Sequence, residues 1–127
     1  MKTRVLLIDD EKFFTAAVKS NLENSGDYEV HLVNDSTVSV AEIRKLRPDI
    51  VLLDIIMPDL EGGDILDELE ADPDLKDIPV LVVTAMIGHG DSDENGIVKF
   101  GDHVLLAKPI ETSTLIKCIE DKLAGRI

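Results

Sequence analysis

Five short apolar runs constrain this chain more than any other feature: Arg4–Ile8, Glu29–Val33, Ile50–Leu53, Val80–Val83 and Val104–Ala107. Each has the length of a strand. Each is too continuous in Val, Ile and Leu to alternate between a wet and a dry face. Such runs suit strands of a parallel sheet covered on both sides. The segments between them carry a helical period instead. Phe14, Ala17, Val18 and Leu22 fall on one helical face, as do Val40, Ile43 and Leu46, then Ile65, Leu66 and Leu69, and finally Leu115, Ile119 and Leu123. Phe13 and Phe14 read as packing residues of the first helix. Gly26 and Pro48 punctuate the first two helices, Asp35 or Ser36 is placed to cap the second, and Thr112 to cap the last.

Strand and helix alternate throughout, which predicts a three-layer, doubly wound α/β domain. With 127 residues, 44% of them hydrophobic, the chain is long enough for one core. A single domain over 1–127 is expected. One stretch resists the pattern. Gly88, Gly90, Gly96 and the acidic run Asp91–Glu94 lie between Met86 and Gly101. Glycine is poor in helix interiors, so at most a short helix near Asp93–Phe100, preceded by a mobile loop, is expected there.

Charge and cysteine content narrow the function. A net charge of −13 argues against nucleic acid and against anionic membranes. The longest apolar stretch near the N-terminus, Val5–Ile8, is too short for a signal peptide or a spanning helix, so a cytoplasmic location is expected. Cys118 is the single cysteine and reads as a buried apolar residue. His31, His89 and His103 are not spaced as metal ligands and read as structural or solvated.

In parallel α/β sheets, ligands bind at the carboxyl ends of the strands, where strand order reverses. The first run ends in Asp9, Asp10 and Glu11, the third in Asp54, the fourth in Thr84, and the fifth in Lys108 and Pro109; the second offers Asn34 and Asp35. If the first and third strands are neighbours, Asp9, Asp10 and Asp54 converge. Three crowded carboxylates are costly unless a hard cation offsets them, and Mg²⁺ prefers oxygen ligands of this kind. A carboxylate nucleophile, a metal, a hydroxyl donor and an ammonium are the parts that phosphoryl transfer requires. Taken singly these residues are ordinary. Asp54 could cap a turn, Asp9-Asp10-Glu11 could be a solvated helix start, and Thr84 and Lys108 are common residue types for a strand and a surface.

Taken together, LLIDDE (6–11), DIVLLDIIMP (49–58) with Gly62, LVVTA (81–85) and LLAKP (105–109) resemble the receiver domain of two-component response regulators. The resemblance spans nearly the whole chain. It implies a flavodoxin-like receiver fold: a five-stranded parallel sheet of order 2-1-3-4-5 with five helices. It assigns Asp54 as phosphoacceptor, served by a histidine kinase or phosphotransfer protein. It implies Mg²⁺ held by Asp9, Asp10, Asp54 and the backbone carbonyl of Ile56. Thr84 and Lys108 would contact the phosphoryl group, and the Lys108–Pro109 peptide would be cis.

Such a domain would act as a signalling module, not a separate enzyme. It would bind a downstream protein through the 86–123 face and exist as a monomer or weak dimer. One position departs from the family. The switch residue that pairs with Thr84 is commonly Tyr or Phe, and here it is Leu105. A switch by ordering and disordering of 86–101 is therefore expected. Ile56 and Met86, apolar where they would flank the phosphoryl group, imply slow self-dephosphorylation. The competing readings are a Mg²⁺-dependent aspartyl-nucleophile phosphatase, a flavodoxin-like nucleotide binder, and a degenerate receiver that binds partners constitutively. The adjacent spacing of Asp9 and Asp10 disfavours the first, and the acidic first loop disfavours the second.

Overall fold

The computed structural model describes residues 2–35, 38–54, 62–84, 97–100, 103–107 and 111–125. Strand β1 (Thr3–Ile8) leads into helix α1 (Lys12–Asn24), then β2 (Tyr28–Val33), α2 (Ser39–Leu46) and β3 (Ile50–Leu53). Helix α3 (Gly62–Ala71), β4 (Val80–Thr84), β5 (Ile97–Phe100), β6 (His103–Ala107) and α4 (Thr112–Leu123) follow. One sheet holds all six strands in the order β2-β1-β3-β4-β6-β5. The five strands expected from the sequence run parallel, in the expected 2-1-3-4-5 arrangement.

The sixth strand corrects an expectation. Ile97–Phe100, within the segment read as a short helix, is a strand that pairs antiparallel with β6, Val98 opposite Leu105 and Phe100 opposite His103. Ile97 and Val98 are β-branched, which suits a strand better than a helix. Pairing with a nearby strand therefore takes the place of the short helix expected here. Among the described residues there are four α-helices, where the resemblance implied five. Residues 85–96, expected to hold a mobile loop, lie outside the described residues.

Both faces of the central strands are buried, which is why their sequences lack alternation. Val5, Leu7, Ile50, Leu52, Leu81 and Val83 pack toward α1 and α4, against Val18, Leu22, Leu115, Cys118 and Ile119. Leu6, Ile8, Val51 and Leu53 pack toward α2 and α3, against Ile43, Ile65 and Leu69. Each such side chain contributes roughly 1.5–3 kcal/mol when fully buried. Packing of this kind holds α2, which at eight residues is too short to persist alone.

The helix faces differ from the sequence reading at several points. The buried stripe of α1 is Thr15, Val18 and Leu22, so a threonine takes the core position assigned to Ala17. Phe13, read as packing, is 95% exposed, and Leu123 is also exposed. Helix termini differ too. The residue preceding α4 is Glu111, with Thr112 already inside the helix, and the residue preceding α2 is Val38; neither makes a side-chain cap hydrogen bond. Gly26, at φ 95°, does stop α1, taking a backbone conformation that side chains disfavour. Arg47 ends α2 in the left-handed region, just before Pro48.

Candidate functional site

The chain enters the sheet at an interior strand, adds β2 on one side of β1 and then β3 on the other. Strand order therefore reverses between β1 and β3, and the carboxyl ends of these two strands are where open α/β sheets bind their ligands. Ile8 pairs with Leu53 in register, so the next residues, Asp9 and Asp54, emerge side by side. The Asp54 amide donates to the Ile8 carbonyl at 3.0 Å, which locks that register at its last step.

Asp9, Asp10 and Asp54 converge as expected: carboxylate oxygens of the three lie within 4.8 Å of one another. Asp9 and Asp54 are almost fully buried, at 1% and 5% exposure, and Asp10 faces solvent. Two unit charges about 5 Å apart repel by roughly 3 kcal/mol at an effective dielectric constant of ~20. Three oxygen donors at this spacing, two buried and one open to solvent, fit a hard divalent cation that keeps some of its water. Asp9 is also held by its surroundings. One of its carboxylate oxygens accepts the Glu11 amide at 2.9 Å, closing the turn into α1.

Thr84 is the last residue of β4, in register with Ala107 of β6. Their strands therefore end at the same level. Leu105 lies in the middle of β6, paired with Val82 on one side and Val98 on the other. Lys108, Pro109, Ile56 and Met86 lie outside the described residues. Cys118 is buried as expected, and His31 reaches Glu29 at 3.0 Å in an exposed surface contact.

Reading strand ends alone gave Asn34 and Thr15 no role. The Asn34 side-chain amide donates to the Asp9 carbonyl at 2.8 Å and to the Thr15 hydroxyl at 3.1 Å. The signal was present, since Asn34 is a side-chain donor directly after the strand that flanks β1.

Among the described residues no helix is long and apolar enough to cross a membrane. Residues 5–120 match the family model of the response regulator receiver domain. Over 133 residues the chain is 32% identical to the response regulator PleD of Caulobacter vibrioides, covering 99% of this chain and only 29% of that protein. It is 33% identical to the protein PilH of Pseudomonas aeruginosa, covering 96% of this chain and 98% of that one. A CheY-like receiver domain from Methanospirillum hungatei superposes with a TM-score of 0.79 at 23% identity, over 99% of this chain and 97% of that one. Fold, acidic cluster and sequence agree: this chain belongs to the response regulator receiver family, the phosphoacceptor domains of two-component signalling.

Proposed function

We propose that residues 1–127 form one receiver unit in which Asp54 accepts a phosphoryl group from a histidine kinase or phosphotransfer protein. The observation that carries this reading is the convergence of Asp9, Asp10 and Asp54 within 4.8 Å at the strand-order reversal. A carboxylate oxygen of Asp54 attacks phosphorus. The bond from phosphorus to the donor imidazole nitrogen breaks, and its electron pair leaves with that nitrogen. The new acyl phosphate is strongly anionic and sits beside Asp9 and Asp10, so the transfer requires positive charge.

Mg²⁺, held by Asp9, Asp10, Asp54 and the carbonyl of Ile56, supplies that charge when bound. Asp9 and Asp10 orient and hold it; Lys108 pairs with one phosphoryl oxygen, and Thr84 donates a hydrogen bond to another. Only the phosphorylated state makes these last two contacts, and this differential shifts the conformational equilibrium. The shift is read by a downstream protein at the 86–123 face. The chain works in the cytoplasm, as a monomer or weak dimer, and catalyses only its own phosphorylation and dephosphorylation.

The test is incubation with acetyl phosphate and Mg²⁺, followed by intact mass spectrometry. Wild type gains one phosphoryl mass. Asp54→Ala gains none, and Asp10→Ala gains little at any Mg²⁺ concentration. Labelling of Asp54→Ala equal to wild type defeats the assignment. Steady turnover of small phosphomonoesters, lost in Asp54→Asn, favours a phosphatase instead.

A further inference from the structure

Asp9 sits at the junction of β1 and α1, and both of its peptide planes are held from β2. On its amino side, the Asp9 amide donates to the Val33 carbonyl at 3.0 Å. On its carboxyl side, the Asp9 carbonyl accepts the Asn34 side-chain amide at 2.8 Å. That carbonyl shares a rigid plane with the Asp10 amide. Fixing it therefore fixes the direction in which residue 10 leaves the strand.

The same Asn34 amide donates to Thr15 Oγ1 at 3.1 Å, and Thr15 Oγ1 in turn donates to the Lys12 carbonyl at 3.0 Å. Every direction in this relay is determined. Backbone carbonyls only accept, so the nitrogen of Asn34 must face Asp9, and the hydroxyl of Thr15 must accept from Asn34 while giving its own proton to Lys12. Thr15 is fully buried, inside the first turn of α1. Asn34 thus ties the end of β1 to the start of α1, with the two pocket carboxylates of residues 9 and 10 on the short connection between them.

We propose that Asn34, backed by Thr15, is a positioning residue that sets the geometry of the Asp9–Asp10 pair for divalent cation binding. The proposal rests on the metal-binding reading above. Neither side chain touches the cation. Outer-shell hydrogen bonds to metal ligands typically matter by about tenfold to a hundredfold in affinity, and this one acts on the backbone of two ligands at once.

The full chain is used for the test, with two readouts. The first needs no metal: exchange of the Glu11 amide, which donates to the Asp9 carboxylate, followed by NMR in metal-free protein. The second is the Mg²⁺ midpoint from calorimetric titration. Asn34→Ala is expected to speed Glu11 exchange and raise the Mg²⁺ midpoint, each by about tenfold, with the number of ions bound at saturation unchanged. Thr15→Val is expected to move both in the same direction, and Thr15→Ser, which keeps the hydroxyl, to restore both.

A folded Asn34→Ala with a wild-type midpoint overturns the proposal, whatever happens to exchange. If Asn34→Ala does not fold, the Thr15→Val and Thr15→Ser pair decides: a difference between them supports the relay, and equality overturns it. If wild type itself shows no Mg²⁺ saturation, the metal reading fails, and with it the purpose assigned to Asn34. Glu11 exchange then still separates a real clamp from none.

Discussion

At the scale of single residues, burial and charge act on groups that composition alone cannot separate. Tyr28 lies at the start of β2, only 4% exposed. Burial, then the nearby charges of Glu120 and Asp27, push its phenol above the ordinary value of 10.0. The folded state therefore holds this proton more tightly than the unfolded chain. Its stabilising effect is complete below about pH 10 and is lost as pH rises through the folded value. Urea midpoints measured from about pH 8 to pH 11 should fall more steeply for wild type than for Tyr28→Phe. Parallel slopes would mean that Tyr28 titrates as in the unfolded chain. Glu29, by contrast, is held below its ordinary 4.5, first by its hydrogen bond to His31, but it lies in solvent and moves stability little. Residue scale is also where the sequence misleads most. Phe13 and Phe14 are adjacent and equally apolar, yet only Phe14 packs on the core. Helical periodicity placed Phe14 on the apolar face, and apolar character alone gave Phe13 a packing role; the period passed over Thr15 because a hydroxyl does not count as apolar.

At the scale of elements, what was legible was whatever is buried on both faces. The runs Leu6–Ile8, Val51–Leu53 and Leu81–Val83 announce themselves because no position in them meets water. The carboxylates that follow the first two, Asp9 and Asp54, were legible for the same reason: a charged residue directly after such a run must sit at the carboxyl end of the strands. Strand β5 was illegible. It has four residues, includes Lys99, follows Gly96, and owes its pairing to β6. The difference predicts an order of protection. β3 is bonded to strands on both sides and is fully buried, whereas β5 has one partner and lies at the sheet's edge. In hydrogen exchange the amides of Val51, Leu52 and Leu53 should be the slowest, near the global unfolding limit, and those of Val98 and Lys99 should be faster by about a hundredfold or more. Comparable protection at the two places would show that the hairpin belongs to the cooperative core.

At the scale of the whole molecule, the charge of −13 is the dominant fact. Self-repulsion of this size weakens the compact state, and salt screens it within about 10 Å at 0.1 M. Among the described residues, this repulsion acts at short range where Asp9, Asp10 and Asp54 meet. Asp10→Asn removes one of these charges at a solvent-facing position, with almost no change of shape. In metal-free protein it should raise the melting temperature by about 2–6 °C at low salt, and by less in high salt. It should also cancel most of the stabilisation that Mg²⁺ gives wild type. Scanning calorimetry with and without Mg²⁺ checks both; a lower melting temperature for Asp10→Asn without metal would mean that its carboxylate is held by favourable contacts stronger than the repulsion.

The hydrogen bond from the Asp54 amide to the Ile8 carbonyl has a wider meaning. It makes the backbone of Asp54 the final rung of a ladder that begins deep in the protein, with Asp9 one step beyond it. Opening that ladder from below, at Val5 or Ile50, separates Asp9 from Asp54 as surely as deleting one of them. Under the proposed metal reading, loss of cation affinity in a distant variant thus reports an unzipped sheet before it reports a damaged cluster, and magnesium becomes a probe of whether β1 and β3 are fastened.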